Sequence, residues 1–165
     1  QMDEIVLSII AHARQAKEFE EIGKAEPQWF ALEDVVERSM SDLDLGLMHV
    51  QNLTNKLEVQ ADPMLERAFH DLFDLSLKST TRPYKVWVTY DMEGEDVNIV
   101  YQDNGSGIAP ELRPNLFTTG SDAYQGLALT KEILKVTDIT ISDTGEEGKG
   151  IRFELLVPKD RFRVR

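Results

Sequence analysis

The sequence has no cysteine, which excludes structural disulfides, thiolate zinc centres and cysteine nucleophiles together. Its three histidines are scattered, without the spacing of a zinc motif. No uninterrupted apolar run approaches the roughly 18 to 20 residues that span a bilayer, and the N-terminus lacks a signal-peptide pattern. The chain therefore reads as a soluble, cytoplasmic unit with no direct membrane contact. Positive charge is scarce as well. Eighteen Lys and Arg stand against 30 Asp and Glu, for a net charge of -12, and such a field repels polyanions, so nucleic acid is excluded as a partner. A small anion can still bind where backbone N–H groups converge. What is present is a one-domain length of 165 residues with 41% hydrophobic content, enough to bury a core without staples.

Residues 2 to 22, "MDEIVLSIIAHARQAKEFEEI", read as a helix, with Met2, Ile5, Ile9, His12, Ala16 and Phe19 at alternating spacings of three and four. One helix cannot bury such a seam, so it needs a neighbouring segment or a second copy of the chain. Gly23 stops it and Pro27 prevents re-entry. The boundary divides a helix with its linker (1–28) from a compact domain (29–165). In that domain the pattern predicts a helix over 31–43 and short strands around Leu47 to Val50 and Lys56 to Val59. A further helix over 61–80 has Asp62 as N-cap, Pro63 at the first helical position, and Leu65, Phe69, Leu72 and Leu75 or Ser76 in one stripe. "KVWVTY" and "VNIVYQ" form a hairpin about Gly94, a helix spans 126–136, and "DITIS" and "GIRFELLVP" are two more strands. "RFRVR" at the end reads as an edge strand or a frayed tail. Together these elements describe an α+β domain, one sheet covered on one face by three helices.

The stretch "YQDNGSGIAP", 101 to 110, carries the chemistry. Asp103 follows a strand directly, so it lies at the sheet's end, where a ligand can reach it. Gly105 and Gly107 let the backbone turn sharply and lie against a flat group. A carboxylate held there accepts hydrogen bonds and suits an amine such as that of adenine. Asn104-Gly105 is equally a turn dipeptide with no ligand at all, and a calcium loop fits less well, because the acids an EF-hand needs at alternate positions are absent.

The motifs also resemble, in order and spacing, the catalytic ATP-binding domain of sensor histidine kinases, within the Bergerat-fold (GHKL) ATPases that include gyrase and MutL. The first glycine box, DxGxG and an aliphatic residue, appears as Asp103, Gly105, Gly107 and Ile108. "PELRPNLF" resembles the phenylalanine box, ending at Phe117; "GLAL", Gly126, Leu127, Ala128 and Leu129, resembles the second glycine box; Gly148, Gly150, Phe153 and Pro158 resemble the closing strand. "EFEEIGKAEPQW" is similar to the junction after the dimerisation helix in archaeal-type sensor kinases. The resemblance implies a Bergerat-type mixed sheet of about five or more strands. It also implies ATP and Mg²⁺ as cofactors, a homodimer through the N-terminal helix and a response regulator as partner. Asp103 is then the adenine acceptor, with Gly105, Gly107, Ile108, Phe117, Gly120, Gly126, Leu127 and Ala128 forming the nucleotide pocket.

The phosphate end departs from the family. Its helix reads NLxxNA, the second Asn ligating Mg²⁺; here Asp71 and Leu75 occupy the two Asn places and Ser76 the Ala place. Leucine has no lone pair for a metal. Asp71, one helical turn earlier, is either the substitute metal ligand and catalytic acid or a solvated helix carboxylate. Asp122 brings negative charge to the lid and Ala128 replaces a glycine. His12 lacks the acid that follows a phosphoacceptor and reads as a register-setting seam residue. Three functions remain open: a sensor-kinase catalytic domain, weakened at its metal site, that phosphorylates a histidine outside this sequence; a pseudokinase or nucleotide-sensing interaction module; and an anti-sigma-factor-type serine kinase, which fits the seam helix poorly.

Overall fold

The computed structural model describes residues 2–79, 81–118 and 125–165, and gives the backbone alone at residues 2, 3, 8, 11, 12, 15, 125 and 126. The chain runs through helix α1 (Met2–Glu21), strand β1 (Gln28–Ala31), helix α2 (Leu32–Ser39), strands β2 (His49–Asn52) and β3 (Leu57–Ala61), and helix α3 (Leu65–Leu77). Strands β4 (Lys85–Glu93) and β5 (Asp96–Asp103) follow, then a 3-10 turn (Pro110–Asn115), helix α4 (Gln125–Lys135), and strands β6 (Thr140–Asp143), β7 (Arg152–Val157) and β8 (Phe162–Val164).

Five strands form a mixed sheet in the order β2-β4-β5-β7-β6, parallel only between β2 and β4. Alternation decides its faces. Val86 and Val88 on β4, Val97, Ile99 and Tyr101 on β5, and Phe153, Leu155 and Val157 on β7 are buried together, and the registers Val88↔Tyr101 and Tyr101↔Phe153 put them on one face. On that face lie Val35 and Val36 of α2, Phe69, Leu72 and Phe73 of α3, and Leu129 and Ile133 of α4. Phe73 meets the Tyr101 ring edge-on, 5.3 Å between centroids, fixing α3 over β5. Asn98, Arg152 and Glu154 occupy the opposite face, where Asn98 and Arg152 both donate to Glu154. The architecture is thus the expected mixed sheet with three helices on one face.

The helix expected over 31–43 ends at Ser39 and the strand expected around Leu47 to Val50 lies at His49–Asn52, and two larger differences follow. The strands do not form one sheet, because β1-β3-β8 make a second, antiparallel one. β1 is only four residues long and abuts α2 without a turn, so no alternation marks it. Of the C-terminal arginines, Arg163 belongs to β8, an edge strand, where it lies over the Trp29 ring at 4.2 Å and pairs with Glu58. Secondly, α3 begins at Leu65, not at Pro63. The buried Asp62 splits its oxygens between the N–H groups of Met64 and Gly23, each at 2.9 Å. It therefore braces the linker after α1 as well as the turn before α3.

α1 has two unlike ends. Phe19 and Ile22 pack against the core, whereas Ile5, Val6, Leu7, Ile9 and Ile10 are exposed. Of the seam residues, Ile5, Ile9 and Ala16 are exposed in this chain while Phe19 is packed. The side chains of Met2 and His12, named in that seam, lie outside the described residues.

Candidate functional site

Asp103 ends β5 and is 1% exposed. Its backbone continues the β5–β7 ladder, donating to the Ile151 carbonyl at 2.9 Å, and Ile151 N–H donates back to Asp103 Oδ1 at 2.9 Å. Gly105 N–H donates to the same oxygen at 3.0 Å. Oδ2 accepts from Ser76 Oγ of α3 at 2.7 Å. A carboxylate offers about four acceptor positions, and the described residues supply donors to three of them, which leaves one on Oδ2 by count. Ser76 Oγ lies 2.6 Å from Tyr101 Oη, which in turn lies 3.2 Å from the Leu72 carbonyl. Burial holds the Tyr101 hydroxyl well above the usual tyrosine range, opposed by the Ser76 bond and reinforced by the Asp103 charge. The phenol therefore stays a donor.

The glycines make room for this arrangement. A Cβ on Gly105 would stand 2.8 Å from the Thr81 carbonyl oxygen, closer than carbon tolerates. Asn104 fastens the same loop to β4, its Oδ1 accepting from Tyr84 N–H at 3.1 Å and Lys85 N–H at 3.0 Å. The turn reading of "DNG" is thus met by the Asn104 side chain.

On α3, one turn and a half before Ser76, Asp71 is 7% exposed. Arg67 Nε donates to its Oδ1 at 2.9 Å, and Arg67 Nη1 reaches Glu18 of α1 at 2.9 Å. Thr130 Oγ1 of α4 lies 3.4 Å from Asp71 Oδ2. Burial raises the Asp71 pKa above the ordinary 3.8, and Arg67, then His70, pull it back. With a raised native pKa, Asp71 favours the fold below the unfolded value, and that contribution is lost as pH rises through the native one. Arg67→Ala removes the larger of the two opposing influences. We expect it to cost about 2 kcal/mol at neutral pH, a low figure because the guanidinium is 39% exposed and partly screened. The loss should shrink as pH falls, and urea midpoints measured across acidic to neutral pH check both size and slope.

Of the remaining residues singled out by sequence, Gly107 has φ +79 and sits against Gly150. Ile108 is buried, and Phe117 is half-buried with its ring edge-on to Phe153, 6.2 Å between centroids. Leu127 and Ala128 are buried on the first turns of α4. Gly126 contributes described backbone there, while Gly120 and Asp122 lie outside the described residues. Ser76, Gly150 and Ile151 bear directly on Asp103, and Tyr101 bears on it through Ser76, parts that the sequence does not announce.

Residues 60–161 match the family of histidine kinase-, DNA gyrase B- and HSP90-like ATPases. The sensor protein CitS of Halalkalibacterium halodurans is 29% identical over 125 residues, 72% of this chain and 23% of CitS. The sensor protein KdpD of Escherichia coli is 24% identical over 146 residues, 80% of this chain and 16% of KdpD. The chain thus spans less than a quarter of the curated relatives it matches. Among solved structures, the Acinetobacter baumannii histidine kinase AdeS superposes with a TM-score of 0.72 at 17% identity, over 94% of this chain and 81% of that one. The chain belongs to this ATPase family, as an ATP-binding domain of the sensor histidine kinase kind.

Domains of this family bind ATP, generally with Mg²⁺. The adenine end fits, because Asp103 keeps an acceptor position open and glycines line its loop. The metal end does not. The Asn place holds Leu75, Asp71 is engaged by Arg67, and no group of three metal-binding side chains occurs among the described residues.

Proposed function

We propose that this chain binds adenine nucleotide and serves as the catalytic domain of a two-component sensor kinase, passing the ATP γ-phosphoryl to a histidine outside these 165 residues. The observation that carries the reading is the buried Asp103 carboxylate, held by three donors with one acceptor position left for the base amine. In the transfer, the bond between the γ-phosphorus and its bridging oxygen breaks, a phosphorus–nitrogen bond to the imidazole forms, and ADP departs. Asp71, buried one turn before the missing Asn, is the acid placed to take part, and its pairing with Arg67 keeps it engaged until the phosphates compete for the guanidinium. The exposed apolar end of α1 supports dimerisation through that helix, and a response regulator is the natural consumer of the phosphohistidine.

A second reading, a nucleotide-sensing module without phosphoryl transfer, is favoured by the metal end alone. Transfer relies on positioned cations around the phosphates, and Leu75 supplies no ligand for one. Calorimetry with ADP and ATP, with and without Mg²⁺, tests the nucleotide site. Both should bind, with Kd changing less than about threefold on adding Mg²⁺. Leu75→Asn should restore a metal response of about tenfold in ATP affinity. If the unaltered chain shows strong Mg²⁺ dependence and brisk ATP turnover, the metal end is intact and the weakened site is disproved. Turnover gained by Leu75→Asn supports the kinase; none, with the acceptor helix supplied, supports the sensing module.

A further inference from the structure

We propose that Ser76 and Tyr101 are positioning residues that set the purine selectivity of the Asp103 site. The inference rests on the nucleotide reading above and adds to it two residues that never touch the base through their own chemistry.

The polarity of the Tyr101–Ser76–Asp103 chain is forced by proton counting. Asp103 faces donors only: two backbone N–H groups on Oδ1 and the Ser76 hydroxyl on Oδ2. A serine hydroxyl has one proton, and here it goes to Oδ2. The 2.6 Å contact between Ser76 Oγ and Tyr101 Oη then needs the tyrosine proton. Tyr101 is wholly buried, and its other acceptor, the Leu72 carbonyl, is the more distant at 3.2 Å, so the short contact to Ser76 takes the proton. Ser76 is therefore locked at both ends, its oxygen accepting and its proton committed, and it cannot turn to serve another acceptor.

The consequence concerns the open position on Oδ2. A base with a 6-amino group fills it with one N–H. A base without that amine leaves a buried acceptor unsatisfied, and sites built to meet an N–H reject analogues that lack it far more strongly than apolar pockets reject a missing methylene. Alanine is what the family pattern NLxxNA leads one to expect at position 76. An alanine would leave room where Oγ now stands, and a water there has two protons and is free to reorient. It could satisfy Oδ2 when the base cannot, which softens the rejection. The serine, fully buried in α3, closes that route.

The test is a ratio of affinities, because a merely structural role would move both members together. Calorimetry would compare ADP with purine riboside 5′-diphosphate, which lacks only the 6-amino group, on the full chain and on Ser76→Ala and Tyr101→Phe. In the unaltered chain ADP should bind about 100-fold more tightly. Ser76→Ala should reduce that ratio about tenfold, chiefly through better binding of the analogue. Tyr101→Phe, which unlocks the serine without removing it, should reduce it about threefold. If ADP binds and the ratio stays within twofold of the unaltered chain in both variants, the selectivity role is overturned and the nucleotide site stands. If ADP does not bind the unaltered chain, the nucleotide reading fails and this inference fails with it.

Discussion

Asp103→Asn is expected to weaken ADP binding about 100-fold, roughly 2.7 kcal/mol, while leaving the fold almost as stable as before. The amide oxygen, placed where Oδ1 is, still accepts from Gly105 and Ile151. The amide nitrogen, placed where Oδ2 is, turns a donor toward both Ser76 and the base. The hydroxyl chain can accommodate this by reversing. Ser76 accepts from the amide and donates to Tyr101 Oη, and Tyr101 donates to the Leu72 carbonyl 3.2 Å away. The base has no such freedom, since an adenine amine would meet an N–H head-on. A 6-oxo base would instead find a donor, so inosine diphosphate should gain affinity as ADP loses it. Calorimetry with both nucleotides, beside a thermal melt, reads the inversion. Unchanged ADP affinity would mean that the amine is recognised elsewhere, and the site would have to be moved off β5. Asp103→Ala is the blunter experiment, because it strands two N–H groups and a hydroxyl in the core and confuses binding with folding.

Much of this site was legible because its parts are local. A strand pattern running into Asp103 and followed by Gly105 and Gly107 places a carboxylate at a sheet end, and the stripe Leu65, Phe69, Leu72, Ser76 gives α3 its buried face. What escaped reading is long-range. Ser76 lies 27 residues from Asp103, Ile151 lies 48 residues from it, and no local pattern announces either hydrogen bond. Asp62 was legible as a cap but not as a brace for Gly23, 39 residues away. β1 escaped for another reason, being too short for alternation to show. Arg67 is the avoidable omission. It stands four residues before Asp71 on α3, the spacing at which opposite charges meet. With it noticed, Asp71 would have been read as a paired carboxylate from the outset.

Among the described glycines, Gly150→Ala should be the most damaging substitution. Gly150 has φ +97, a conformation that L side chains rarely adopt, and a Cβ built there falls onto the carbonyl oxygen of Asp103, with Asp103 Oδ1 3.0 Å away. Neither obstacle can move cheaply. The Asp103 backbone is fixed by Val86 across the β4 ladder and by its bond to the Ile151 carbonyl, and Oδ1 holds two N–H groups. The strand entering β7 must therefore shift, which breaks the reciprocal bonds between Ile151 and Asp103 and re-aims the carboxylate. Backbone strain of about 1 to 3 kcal/mol adds to two lost buried hydrogen bonds of about 1 kcal/mol each, a total of about 3 to 5 kcal/mol. Gly148 provides the control. Its φ is +78, but nothing lies within 4 Å of its Cβ position, so Gly148→Ala should cost only the conformational part, about 1 kcal/mol. Urea unfolding of the two variants separates strain from collision. Equal losses would show that the approach of Gly150 to Asp103 does not constrain the fold; the expected gap of about 2 kcal/mol or more, with ADP binding lost only in Gly150→Ala, ties the β7 entry to the aim of the carboxylate.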